Sequence, residues 1–331
     1  MRTSSFYHEL PNGITCIDTG YLRPRHTACY LIEQGNRAAF VDTGTSYTAA
    51  RLLNLLRIRG VTPESVAYVM PTHVHLDHAG GAGTLMRQLP NAKLVVHPRG
   101  ARHMINPSKL ITGAKAVYGD TTFHENFGEL VAVPEARITV ANDGLVLDLN
   151  GRPLLFLDTP GHARHHYSIY DEANKAFFTG DIFGLSYREF DTAAGAFIFP
   201  TTTPVQFDPD AWHASLDRLL LRYAPERMFL THYGMVTDVE RLARDLHRRI
   251  DGLIEIARNA ARADDRHERI MRDMTDMLLH ELAQTGCPLG ADESVELFKP
   301  DLELNVQGLE TWLDQNKTDL HEQAALNQAG H

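Results

Sequence analysis

A short apolar run at 66–70, which reads as a buried strand, opens directly onto Pro71-Thr72-His73-Val74-His75-Leu76-Asp77-His78-Ala79-Gly80-Gly81. Three imidazoles and a carboxylate on a loop leaving a strand constrain this chain more than any other feature, because layered α/β folds place their sites at the carboxyl ends of strands. Alternate side chains of an extended segment face the same way. His73 and His75 can therefore grip one ion while the turn through Asp77 and His78 aims at a second. Nitrogen donors with a few carboxylates suit zinc, with iron or manganese as alternatives, and two ions ~3.5 to 4 Å apart can share a hydroxide that is nucleophilic near neutral pH.

Around this loop the pattern alternates strands and helices, the mark of an α/β architecture. Residues 14–18, 28–33, 38–41 and 66–70 read as strands, and Ser46 is placed to cap an amphipathic helix over 47–58 that stops at Gly60. A helix over 84–89 and a strand over 93–97 follow. Residues 99–128 break the rhythm and read as an insertion beside the site, a candidate lid. Strands resume at 137–140, 145–149, 154–157, 168–170 and 176–178. Asp208 and Pro209 then start a helix, and 228–231 is the last strand expected, with nothing after Tyr233 reading as strand. From Asp238 onward only helices are expected, over 239–261, 265–284 and near 302–313, with a frayed tail from Thr318. Their apolar stripes, including Leu242, Leu246, Ile250, Leu253 and Ile256, call either for the monomer's own core or for a homodimer.

The net charge of -10, from 32 basic and 42 acidic residues, gives no general attraction to nucleic acid. No apolar stretch is long enough for a membrane span. The polar N-terminal segment lacks the apolar region of a secretory signal, so the expected location is cytoplasmic. Cys16, Cys29 and Cys287 are odd in number and widely spaced, and read as reduced packing residues. Histidine is abundant, at 18 residues. Of these, His97, His103 and His124 read as surface or satisfied core residues, and the helical His213, His247, His267 and His280 as solvated ones.

The segment 72–81 resembles the signature loop of the metallo-β-lactamase superfamily, and the rest of that pattern follows in order. Asp42 stands in Phe40-Val41-Asp42-Thr43-Gly44, His162 in Thr159-Pro160-Gly161-His162, Asp181 in Phe178-Thr179-Gly180-Asp181 and His232 in Leu230-Thr231-His232-Tyr233-Gly234. The resemblance implies an αββα sandwich, with a catalytic domain over 1–237 and a C-terminal helical extension over 238–331. It implies that His73, His75 and His162 hold one metal, that Asp77, His78 and His232 hold the other, and that Asp181 bridges them. Asp42 is expected to orient a ligand imidazole rather than bind metal, or to hold the Asp-Thr-Gly turn.

Two departures narrow the activity. The family's di-iron oxygen reductases typically carry glutamate where His75 stands, and its antibiotic-degrading enzymes carry Cys or Ser where Asp181 stands. What remains is similar to glyoxalase II thioesterases and acyl-homoserine lactonases, although no Lys-x-x-Asn pattern suited to glutathione occurs in the C-terminal helices. The stretches 159–179 and 199–209 resemble a bacterial and archaeal branch whose substrates are mostly unassigned. The expected activity is cleavage of a small carboxylic ester, lactone or thioester, by attack of the shared hydroxide with Asp77 orienting it. A small phosphodiesterase, a hydrolytic dehalogenase and a non-catalytic metal-binding protein are the alternatives. Tyr187 is a candidate donor near the oxyanion, against an ordinary buried tyrosine. Arg188 is a candidate substrate contact, against an ion pair with Glu189 or Asp191. His165 and His166 are candidates for substrate contact, ligand support or an auxiliary metal.

Overall fold

The computed structural model describes residues 6–204 and 206–316. The expectation for the tail from Thr318 lies outside these residues. Seven strands form the first sheet in sequence order: β1 (Tyr7–Leu10), β2 (Ile14–Asp18), β3 (Ala28–Gln34), β4 (Arg37–Val41), β5 (Val66–Met70), β6 (Lys93–Val96) and β7 (Ile138–Val140). The first four are antiparallel and β4 to β7 are parallel. The second sheet contains β8 (Val146–Leu149), β9 (Arg152–Asp158), β10 (Tyr167–Asp171), β11 (Ala176–Gly180), β12 (Arg227–Leu230) and β13 (Gly234–Val236). Its one parallel pair is β11 with β12.

Strand periodicity sorts the apolar residues into three layers. In β3, Tyr30 and Ile32 join Phe156, Ile169, Phe178 and Phe229 between the two sheets, while Cys29 and Leu31 turn outward onto Leu52, Leu55 and Leu56 of α1 (Thr48–Arg59). In the second sheet, Phe177, Met228 and Leu230 turn outward onto Trp212 and Leu216 of α7 (Pro209–Tyr223) and onto the C-terminal helices. Sheets covered on both faces need near-continuous apolar strands, which explains runs such as Ala176-Phe177-Phe178. The order helix, sheet, sheet, helix is the αββα sandwich expected from the resemblance. Cys16 and Cys29 lie wholly inside it and burial pushes the Cys16 thiol up to about 12, so they act as small apolar residues.

Several elements differ from expectation. A strand does follow Tyr233: β13 pairs antiparallel with β12, because Gly234, at φ +76°, turns the chain back along it. Helix α1 begins at Thr48, and Ser46 does not cap it, its Oγ donating instead to the Phe127 carbonyl at 2.7 Å. Gly60 does end α1 in the left-handed conformation, and Asp208 caps α7 by accepting from the Ala211 amide at 3.0 Å. The loop after β5 carries two short turns of helix, α2 (Leu76–Ala79) and α3 (Ala82–Met86). The insertion is three helices, α4 (Pro98–Ile105), α5 (Ser108–Tyr118) and α6 (Asp120–Phe127), whose Phe123 and Phe127 pack on Leu76 of the histidine loop.

The C-terminal part consists of α8 (Val239–Ala260), α9 (Arg266–Gln284) and α10 (Ala291–Gln315), the last twice as long as expected because Pro300 sits inside it without ending it. Leu242, Leu246, Ile250 and Leu253 of α8 are buried in the chain's own outer layer, so that stripe finds its partner surface within the monomer. His213 and His247, expected to be solvated, instead meet across α7 and α8 with their rings within 6° of coplanar and their Nδ1 atoms 2.5 Å apart. Among the described residues no helix is long and apolar enough to cross a membrane.

Candidate metal centre

The parallel strands β4 and β5 end side by side, and the loop beyond β5 folds back over the turn beyond β4. Asp42 takes a left-handed backbone at φ +57°, which Asp tolerates better than most residues. Its carboxylate accepts from the Thr72 amide at 2.7 Å, from Thr231 Oγ1 at 2.7 Å and from His78 Nδ1 at 2.9 Å. Holding the proton of His78 on Nδ1 leaves Nε2 as the free donor atom, the arrangement that a buried carboxylate behind a ligand imidazole provides. The Thr43 amide, bonded to the His78 carbonyl at 2.7 Å, fixes the backbone of the same residue.

The second half supplies three more side chains from three strand ends. His162 follows β9, Asp181 follows β11 and His232 follows β12. Each imidazole is anchored from behind: His162 Nδ1 donates to the Thr201 carbonyl at 2.8 Å, and His232 Nδ1 to the His26 carbonyl at 3.1 Å. Asp181 is placed by His166, whose Nε2 accepts from the Asp181 amide at 3.2 Å. An accepting Nε2 leaves the proton of neutral His166 on Nδ1, where it is given to Thr159 Oγ1 at 2.8 Å. Gly180 between these groups is at φ +51°, and a Cβ there would stand 2.4 Å from His166 Nε2, so the chain can pass only as glycine.

All seven expected ligands come together. His73, His75 and His162 form one cluster of converging donor atoms, and Asp77, His78 and His232 form another. A third grouping, His73, His78 and Asp181, runs between them. Asp181 Oδ2 lies 3.3 Å from His162 Nε2 and its Oδ1 lies 3.3 Å from His78 Nε2, so one carboxylate faces both clusters. Asp77 Oδ2 is 3.2 Å from His232 Nε2. Burial, followed by the neighbouring imidazoles, holds His73 well below the usual histidine range. Burial also opposes a charge on His78, but Asp181, Asp77 and Asp42 outweigh it and raise its affinity for a proton.

The donors fit a metal on a criterion independent of the motif. His78 Nε2 and Asp181 Oδ1 are buried with no hydrogen-bond partner. Folded proteins rarely leave such atoms unsatisfied, and a cation between them would satisfy both. With nitrogen and oxygen donors and no sulfur, the set suits zinc and also accommodates iron or manganese.

The remaining expected residues fall into distinct places. Asp42 lies behind His78, as anticipated. His165 is buried against the rings of His73 and His75, at 6.1 and 5.3 Å between centroids, and its Nδ1 has no partner. Tyr187 is fully buried and donates its hydroxyl hydrogen to Asp301 Oδ2 at 2.7 Å, so it is not a free donor. Arg188 donates to the Ser186 carbonyl at 2.7 Å and pairs with Asp191 at 3.3 Å, one of the two ion pairs expected as the alternative to a substrate contact. His97 is a satisfied core residue, 3.0 Å from Asp158.

Sequence reasoning missed His26 and Asp301. His26 is buried with its ring between those of His232 and Tyr187, at 5.2 and 5.5 Å. Burial, then the charge on His232, holds it well below the ordinary histidine range. Asp301 arrives on α10, where burial pushes its carboxyl up to about 6 against the hydrogen bond from Tyr187. Neither residue belongs to a motif, and only tertiary structure brings them near the ligands.

Comparison with known proteins agrees with this geometry. The sequence profile of the metallo-beta-lactamase superfamily matches residues 22–232. A metallo-beta-lactamase fold-containing protein of Sulfurisphaera tokodaii is 26% identical over 229 residues, covering 68% of this chain and 80% of its own. An N-acyl homoserine lactonase of Bacillus cereus is 23% identical over 171 residues, covering 45% of this chain and 59% of its own. Among solved structures, a metallo-beta-lactamase family protein from Thermus thermophilus superposes with a TM-score of 0.65 at 19% identity, covering 94% of this chain and 95% of its own. The profile spans the histidine loop and the motifs of Asp42, His162 and Asp181 and ends on His232, and on that ground the chain belongs to the metallo-beta-lactamase superfamily.

Proposed function

We propose that the protein is a two-metal hydrolase of a small carboxylic ester, lactone or thioester. One observation carries this reading: two converging donor clusters face a single shared carboxylate, Asp181, with one unsatisfied atom on each side of the His78–Asp181 gap. His73, His75 and His162 would hold one ion and Asp77, His78 and His232 the other, with Asp181 between. Zinc is the ion best matched to these donors. When bound, the two ions supply a water that is nucleophilic near neutral pH and an electrophile for a carbonyl oxygen.

The chain's own groups account for the rest. Asp77 is the most open of the carboxylates, its side chain 23% exposed against 6% for Asp181. That exposure puts it where an entering substrate meets the site, able to accept a hydrogen bond from the attacking water. His165 Nδ1, buried and unpartnered beside His73 and His75, offers a hydrogen bond to substrate. Tyr21 packs its ring against those of His26 and Phe127, an aromatic cluster next to His232 that would favour an apolar acyl group. Arg188 is paired with Asp191 and Arg23 Nη1 with Glu189 at 2.9 Å, while Arg23 Nη2 has no hydrogen-bond partner; the aromatic cluster is what favours an uncharged acyl compound over a phosphate diester. Similarity both to an N-acyl homoserine lactonase and to an atrochrysone carboxyl ACP thioesterase supports an acyl substrate, lactone or thioester.

The deciding experiment is elemental analysis combined with turnover of a lactone, a thioester, a carboxylic ester, a phosphodiester and a halogenated aromatic ring. Close to two metal ions per chain with acyl cleavage is expected. Cleavage of the phosphodiester or the carbon–halogen bond alone would keep the metals and overturn the substrate class. Metal content near zero in protein purified without chelator would overturn the hydrolase reading.

A further inference from the structure

Ligand His162 depends on the Thr201 carbonyl for its orientation, and Thr201 lies in a stretch, 200–203, with no regular secondary structure. Buried irregular backbone needs partners of its own. They come from α10, more than a hundred residues later. Asn305 Oδ1 accepts from the Thr202 amide at 2.6 Å, its Nδ2 donates to the Pro200 carbonyl at 3.1 Å, and its backbone carbonyl accepts from Thr202 Oγ1 at 2.9 Å. The Thr202 carbonyl in turn rests on Gly308, where a Cβ would stand 2.7 Å from it. Asn305 and Thr202 are both buried, so no water substitutes readily for these bonds.

The same face of α10 packs on this part of the chain elsewhere. Asp301, one turn before Asn305, takes the hydroxyl of Tyr187, and Phe298 packs edge-on against Phe199 at 5.0 Å. Positions 298, 301, 305 and 308 recur at helical spacing, so a single stripe of α10 faces the segment after β11. Among the described residues the Asn305 bonds of this clamp go to 200–202 alone, whereas the second cluster meets α10 only at a distance, through Asp301, Tyr187 and the ring of His26. Its His78 is braced by Asp42 and its His232 by the backbone at His26, both within the sandwich.

We propose that α10 is a working part of the metal centre, with Asn305 as a positioning residue. By clamping 200–202 it fixes the carbonyl that orients His162, and so tunes the hold on one of the two ions and not the other. This rests on the two-metal reading above. Removing the partner behind a ligand imidazole typically weakens metal binding 10–100-fold, and Asn305 acts one step further out, so a loosening of about 10-fold is expected.

The test is zinc competition against a chelating dye, which reads affinity directly and needs no substrate. Wild-type protein should show two ions; fewer would break the two-metal reading itself. In Asn305→Ala one step of the competition curve should shift by about 10-fold while the other stays within about twofold. Thr202→Val, a near-isosteric change that loses only the hydroxyl bond to α10, should move the same step by a smaller factor, and it decides the matter if Asn305→Ala does not fold. Phe298→Leu, which loosens helix packing without touching the clamp, should lower the melting temperature of the metal-free protein and leave both steps in place. Unchanged steps in folded Asn305→Ala and Thr202→Val, or two steps shifting together in proportion to lost stability in all three variants, would overturn the proposal.

Discussion

The two halves of the centre are built on different plans. The first half places His73, His75, Asp77 and His78 on one loop, and a single carboxylate, Asp42, fixes His78 from behind. The second half gathers His162, Asp181 and His232 from three separate strand ends, each held by a different group: the Thr201 carbonyl, the ring of His166 and the His26 carbonyl. Local sequence sets the first; the second exists only once distant elements have packed. The loop residues are brought together by one short segment, whereas residues far apart in sequence are each held by a group of their own.

The sharpest way to break this comparison is to remove the one side chain that both clusters face. Asp181→Ala should cost both ions rather than one, with elemental analysis falling from near two ions per chain toward zero and turnover dropping by three or more orders of magnitude, since metal and residue act as a unit. Retention of one tightly bound ion would show the clusters to be independent. Next in size is Asp42→Ala. It strips the brace from His78 and should weaken one ion 10–100-fold in chelator competition, leaving the cluster of His73, His75 and His162 close to its wild-type hold.

A smaller effect concerns Asp301, on the scaffold of the second half. Its carboxyl is raised from the ordinary 3.8 to about 6 in the folded chain, burial being the main cause. Between those values the folded state keeps a proton that the unfolded state has lost, so stability falls as pH rises through that window and the cost persists above it. Asp301→Asn lacks this penalty. Measured on metal-free protein, its melting temperature relative to wild type should rise between pH 4 and pH 7, by the equivalent of at most about 3 kcal/mol. A constant difference across that range would remove the titration from Asp301. The smallest effect expected is at the His213–His247 pair, where both side chains are 26% exposed. His247→Ala should cost under about 1 kcal/mol by thermal melt, with no change in either metal step.

What was legible in the sequence follows from the same contrast. The loop at 73–78 announced its chemistry by spacing, the alternation of strands and helices gave an α/β architecture, and the αββα layering came with the family resemblance that the motif order carries. Asp42 was readable because its strand, turn and carboxylate lie together. Tyr187 and Arg188 were visible as residue types near Asp181, but their partners Asp301 and Asp191 decided their roles, and hydrogen-bond partners are not a property of local pattern. β13 escaped notice because it is three residues long and opens with glycine. The insertion hid three helices because short amphipathic segments carrying Gly, Pro and aromatics show little periodicity. Length misled at α10: the helix expected near 302–313 begins at Ala291 and runs through Pro300.

The spread of ligands along the chain also bears on how the protein is made. Synthesis runs from the N-terminus, and domains fold as their chain emerges. The His73–His75 cluster lacks its third member until residue 162 is available, and the Asp77–His78 cluster until residue 232. The clamp on 200–202 arrives later still, with residue 305. On the two-metal reading, ion acquisition is therefore a late event in the birth of this molecule, and a nascent chain stalled before α8 would have all seven donor residues but no clamp behind His162.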